Sequence, residues 1–135
     1  MSYAIHAYLF DEEMQNENLL FDSIKKIFSA SQNVEFAIVN NFFTKKNFLK
    51  LKVEKKYSIS IFFDNNQSVA DDLKFILKKA TVCNSRLRFL FAPDPENDFD
   101  YMCIIILEYL ESLNKVLIYN VNQDKIIFSL SGNES

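Results

Sequence analysis

Leu49-Lys50-Leu51-Lys52-Val53-Glu54-Lys55-Lys56-Tyr57-Ser58-Ile59-Ser60-Ile61-Phe62-Phe63 alternates apolar and polar residues on both sides of a short basic break. Period-two alternation puts one face of each run in a core and the other in water, the pattern of half-buried antiparallel strands. Lys55-Lys56 joins the two runs as a tight hairpin, although the pair lacks the Asn-Gly chemistry that such turns favour. Asp64-Asn65-Asn66 ends the meander.

On the N-terminal side, Tyr3 to Phe10 alternates in the same way and reads as a first strand. Asp11 is the expected cap of a helix running to about Ser29, with Leu20, Ile24, Ile27 and Phe28 at helical spacing and Phe21 at the edge. Val34 to Asn40 is a second strand, and the loop after it carries Phe42 and Phe43. On the C-terminal side, Ser68 is the expected cap of a second helix, with Asp71 and Asp72 in its first turn and a stripe of Val69, Leu73, Ile76 and Leu77.

A strand at Arg86 to Phe91 follows, then a helix that Asp98 should cap and that runs to about Leu113. Val116 to Val121 and Lys125 to Leu130 pair around Asn122-Gln123-Asp124, and Ser131 onward is a short tail. The predicted order is β-α-β-β-β-α-β-α-β-β. This is an α+β (mixed α/β) single domain over residues 1–135, with three helices on a mixed sheet of about six to seven strands. The units around the first and third helices fit right-handed crossovers, and the remaining connections are antiparallel.

Composition sets limits on chemistry. Of 135 residues, 49% are apolar, with fourteen Phe and six Tyr, which is globular rather than disordered. The only glycine is Gly132, while fourteen asparagines take over turn positions. A Gly-rich phosphate loop, a dinucleotide fingerprint and a glycine-flanked nucleophile elbow are thereby excluded. Cys83 and Cys103 have neither redox nor zinc spacing. The N-terminus lacks a basic, cleavable leader pattern, and Met102 to Leu107 is too short to span a membrane, so the expected location is cytoplasmic with no membrane partner.

The net charge of −3 conceals blocks. Residues 1–22 carry five acids and no base, residues 25–56 carry eight lysines, and Asp94 to Glu111 carries six acids and no base. The sharpest block is Ala92-Pro93-Asp94-Pro95-Glu96-Asn97-Asp98-Phe99-Asp100-Tyr101, a proline-stiffened anionic segment between a strand and a helix. Its alternating acids imitate the first half of a calcium loop. Continuing the register puts Phe99 where a glycine is needed and Ile105 where the bidentate Glu is needed, so calcium fails. A weak magnesium site, a helix start and a protein-binding surface remain open readings.

Catalysis finds little support. His6 is the only histidine and sits mid-strand, and a pair with Cys83 needs a tertiary contact that the sequence does not signal. Glu54-Lys55-Lys56 resembles the Glu-x-Lys element of some metal-dependent nucleases, but no Asp occurs between Ser23 and Phe63 to complete it. The lysine-rich 45–56 hairpin, with Phe42, Phe43, Phe48 and Tyr57 nearby, supports an alternative nucleic-acid-binding or regulatory role. Alternating Leu and Lys is also the ordinary pattern of a half-exposed strand, and long lysines guard a sheet edge. Nucleic acid is therefore the disfavoured partner. The expectation is a non-enzymatic protein with no metal and no cofactor.

Arg86-Leu87-Arg88-Phe89 leading into Asp94-Pro95-Glu96, the helix ending Tyr109-Leu110-Glu111-Ser112-Leu113, Val116-Leu117-Ile118-Tyr119-Asn120 and Lys125-Ile126-Ile127 together cover about a third of the chain. In these elements, from Arg86 to Ile127, the chain resembles bacterial immunity proteins of contact-dependent growth inhibition and other polymorphic-toxin systems. The resemblance implies a stoichiometric toxin inhibitor that binds a co-encoded toxin, often a nuclease, and occludes its active site. Toxins acting on nucleic acid carry basic clefts, so Asp94, Glu96, Asp98 and Asp100 would face the cognate toxin's basic surface. Tyr101, with Phe99, would supply buried anchors.

Overall fold

The computed structural model describes residues 3–11, 16–29, 33–40, 43, 46–79, 83–113 and 115–130. Seven strands among them build one sheet: β1 (Tyr3–Leu9), β2 (Val34–Asn40), β3 (Asn47–Val53), β4 (Tyr57–Asn65), β5 (Ser85–Phe91), β6 (Val116–Asn120) and β7 (Lys125–Leu130). Three helices interrupt them: α1 (Glu17–Ile27) after β1, α2 (Gln67–Leu77) after β4, and α3 (Asp100–Glu111) after β5. The α+β class and the order of all ten elements are as the alternation predicts.

Across the sheet the strands run β2-β3-β4-β5-β1-β6-β7. Every neighbouring pair is antiparallel, which corrects the mixed sheet expected from the sequence. Four antiparallel steps separate β1 from β2, and two separate β5 from β6, so α1 and α3 each join strands that point the same way. Those strands are kept apart by β1 inserted at the centre and by the β3–β4 hairpin, and no parallel ladder forms.

Alternation assigns the two faces. Ile5, Ala7, Leu9, Leu49, Leu51, Val53, Tyr57, Ile59, Ile61, Leu87, Phe89 and Phe91 point to one side. There they pack under Leu20, Phe21, Ile24 and Phe28 from the α1 segment and Met102, Ile106 and Leu110 of α3. Each fully buried side chain of this size contributes about 1.5–3 kcal/mol. The other side is covered only in part. Val69 and Leu73 of α2 bury Tyr8, Cys83 and Leu117, forming a second, smaller cluster.

The helix starts differ from the expected caps: in each case another short Asn or Asp side chain takes the free N–H groups. Asn16, rather than Asp11, caps α1, accepting from the Leu19 N–H at 3.1 Å. Asn66, rather than Ser68, caps α2, accepting from the Ser68 N–H at 3.0 Å. Asp71 and Asp72 therefore fall in the second turn of α2, and its first turn has no acid. The expected loop residue Phe42, and the tail from Ser131, lie outside the described residues.

Candidate functional site

The anionic segment is a built turn. Pro95 stands at the first corner of a tight turn in which the Asp94 carbonyl accepts from the Asn97 N–H at 3.1 Å. Asn97 has φ 58°, a conformation that Asn tolerates better than most residues. The Asp94 carboxylate then accepts from the N–H of Asp98 at 3.1 Å and of Phe99 at 2.9 Å. Phe99 occupies the cap position of α3 with no side-chain bond of its own, so Asp94, not Asp98, satisfies the helix start.

Two consequences follow for the predicted contact residues. Asp94 is half-buried and committed to the backbone, whereas Glu96, Asp98 and Asp100 are exposed. Phe99 stacks on Tyr57, with centroids 4.7 Å apart and planes 8° apart, and packs against the core, which removes it as an anchor. Tyr101 remains outside, 45% exposed. One turn later Ile104 is 57% exposed, an apolar neighbour that the sequence reading had placed inside an apolar helix. Burial and the nearby Glu54 carboxylate raise the Tyr101 pKa, which keeps the hydroxyl protonated at neutral pH.

The opposite face of the sheet carries a constellation that the sequence reading did not assemble. Asp64, at the end of β4, accepts from Arg86 Nε at 3.0 Å and from Arg88 Nε at 2.6 Å. Arg86 Nη1 reaches Asp72 of α2 at 2.9 Å and the Tyr8 hydroxyl at 3.4 Å. Burial alone would raise the Asp64 pKa, but the hydrogen bond and charge of Arg88, then those of Arg86, hold it below the usual carboxylate range. The signal was present: the chain's two arginines stand two apart on one strand and so share a face.

Among the described residues, no helix covers this face beyond the edge of α2. The register aligns Val39 with Phe48, Phe62 with Arg88, Arg88 with His6, and His6 with Tyr119, in a row across the strands. Phe48 stacks on Phe62 at 4.6 Å, and the Arg88 guanidinium lies over the Phe62 ring at 4.7 Å. His6 meets Tyr8 edge-on, and burial, followed by the charges of Arg86 and Arg88, lowers its pKa to about 4. Its neutral imidazole is a packed member of this row.

The described residues bring no three His, Cys, Asp or Glu side chains together as metal ligands. Cys83 lies under α2 with its Sγ donating to the Leu9 carbonyl at 3.2 Å, and burial raises its pKa, the opposite of an activated thiolate. No described helix is long and apolar enough to cross a membrane.

No family model, curated protein or solved structure matches the chain. The resemblance to immunity proteins therefore rests on the sequence elements between Arg86 and Ile127. The structure turns those elements into contiguous pieces: β5, the anionic turn, α3 and the β6–β7 hairpin.

Proposed function

We propose that this chain is a non-catalytic, immunity-type binding protein that neutralises a co-encoded toxin by docking the start of α3 on the toxin's basic surface. The observation that carries the reading is the pairing of Tyr101 and Ile104. Two large side chains stand exposed one helical turn apart, beside Glu96, Asp98, Asp100 and Glu108, on a helix without Lys or Arg. An apolar anchor in an acidic collar suits a basic partner: the anchor supplies buried area and the collar steers encounter. Asp94 belongs to this reading as the residue that fixes the turn, and Glu96, Asp98, Asp100 and Tyr101 as the contacts.

Copurification from the native host, with identification of the bound protein, tests the reading directly. A basic toxin encoded next to this chain is the expected partner. Tyr101→Ala and the pair Asp98→Lys with Asp100→Lys should each weaken the complex at least about tenfold. The melting temperature of the free protein should stay unchanged in Tyr101→Ala and fall by only a few degrees in the lysine pair, because Asp100 lies in the first turn of α3. Full affinity in both variants would place the contact elsewhere, and an uncharged or acidic partner would overturn the reading.

A further inference from the structure

Among the described residues, α2 shades the face opposite α1 and α3 over Tyr8, Cys83 and Leu117, with Phe10 and Tyr119 packed at the margin of that cluster. Past that shade lie three successive rows. The first holds Phe48, Phe62, Arg88, His6 and Tyr119. The second holds Ala37, Lys50, Ser60 and Leu90, and the third Glu35, Lys52 and Ser58. Leu90 is 39% exposed, Lys52 is exposed, and Lys50, Phe48, Phe62, Ser58 and Ser60 are half-exposed.

Charge is segregated across the molecule. On these rows the ammonium groups of Lys50 and Lys52 face one exposed acid, Glu35, which lies opposite Lys52, while the Arg88 guanidinium is already paired with the buried Asp64. The exposed carboxylates of α3 and its turn belong to the other side of the sheet. A net charge of −3 is thus compatible with a cationic face.

Lys50 and Lys52 are two positions apart on β3, so their stems rise about 6.7 Å from each other along one strand. Beside them a preassembled ladder runs Phe48, Phe62, Arg88, with each member stacked on the next. Ser58 and Ser60 place hydroxyls between the lysines and β5. Spaced cations next to aromatic rings are what an unpaired polynucleotide requires, because phosphates follow the charges and bases stack without regard to sequence. A sheet face, unlike a projecting helix, does not enter a duplex groove, which favours the single-stranded form.

We propose that this open half-face is a binding site for single-stranded nucleic acid, with phosphates on Lys50 and Lys52 and bases stacked against Phe48 at the end of the ladder. The site is independent of the α3 surface.

Fluorescence anisotropy of the full chain with a labelled oligothymidylate of about 12 nucleotides tests it. Saturable binding should weaken about seven- to twentyfold between about 50 and 200 mM salt, the release expected for two to three phosphate contacts on a single strand. Lys50→Ala with Lys52→Ala should remove most of that salt dependence. Phe48→Ala should weaken binding about tenfold at an unchanged salt slope, and Phe48→Tyr, which keeps the ring, should restore it. Glu96→Gln, on the other side, should bind as the parent does. Absence of saturation at low salt, an unchanged slope in the double lysine variant, or equal competition by duplex DNA or by a polyglutamate peptide would each overturn the proposal.

Discussion

Arg86 is buried against Asp64, its Nη2 2.9 Å from Oδ2, with each side chain only 8% exposed. The pair links β5 to β4, and through Asp72 it also holds α2 on the sheet. A buried pair contributes little compared with an apolar pair of the same volume, but removing one partner strands the other charge. Arg86→Met should therefore cost about 3–5 kcal/mol, read as a lower urea midpoint at constant slope. Asp72→Asn, with its exposed carboxylate, should cost about 1 kcal/mol or less. A midpoint for Arg86→Met close to that of the parent would show that Arg88 alone satisfies Asp64.

His6 gives the fold a defined acid sensitivity. Burial and the neighbouring Arg86 and Arg88, opposed weakly by Asp64 and Asp72, lower its pKa from 6.5 to about 4. Between those values the unfolded chain binds a proton that the folded chain excludes, so stability rises with pH. That contribution is present above pH 6.5 and is lost as the pH falls towards 4, before Asp64, whose own pKa is lowered, begins to protonate. Allowing for partial solvent screening, the loss should be of order 1–2 kcal/mol. Denaturant midpoints of the parent and of His6→Gln, measured through this range, check it. The variant should show a flat profile where the parent slopes.

The strands were legible because their alternation is strict: Leu49, Leu51 and Val53, like Ile59 and Ile61, are fully buried where the period placed them. The helix stripes were legible for the same reason, and Phe21, read as peripheral, is fully part of the core. Strand order was not legible, because period two fixes which face a residue takes and says nothing about which strand lies beside it. Caps failed where two competent side chains stood close together, as with Asn66 and Ser68. The Asp64–Arg86–Arg88 group depends on pairing β4 with β5, which are separated by a helix, so only the shared face of the arginines could be read in advance.

Asp94 separates structure from contact within the anionic turn. Its carboxylate holds two N–H groups ahead of α3, a role that neither Glu96 nor Asp98 fills. Asp94→Ala should destabilise the protein by about 1–2 kcal/mol, the range of a lost helix cap, while Asp98→Ala should stay within about 0.5 kcal/mol. Thermal melts of the two variants make the comparison. Equal losses would mean that the turn is held by Pro93 and Pro95 rather than by the carboxylate.

The β3–β4 turn stores strain that can be relieved. Lys56 N–H donates to the Val53 carbonyl at 3.0 Å, and the two residues between them, Glu54 and Lys55, have φ of 53° and 60°. Both are left-handed, a conformation that Asn and Gly adopt at little cost and that residues with a long side chain resist. The ladder closes at Val53 and Tyr57, so the loop holds Glu54, Lys55 and Lys56 rather than the expected Lys55-Lys56 pair alone. Glu54→Asn combined with Lys55→Gly should stabilise the protein by about 1 kcal/mol and raise its melting temperature by a few degrees. The gain should appear with the slope of the urea transition unchanged, since the buried surface is the same. A loss of stability would mean that the Glu54 and Lys55 side chains make contacts worth more than the strain they impose.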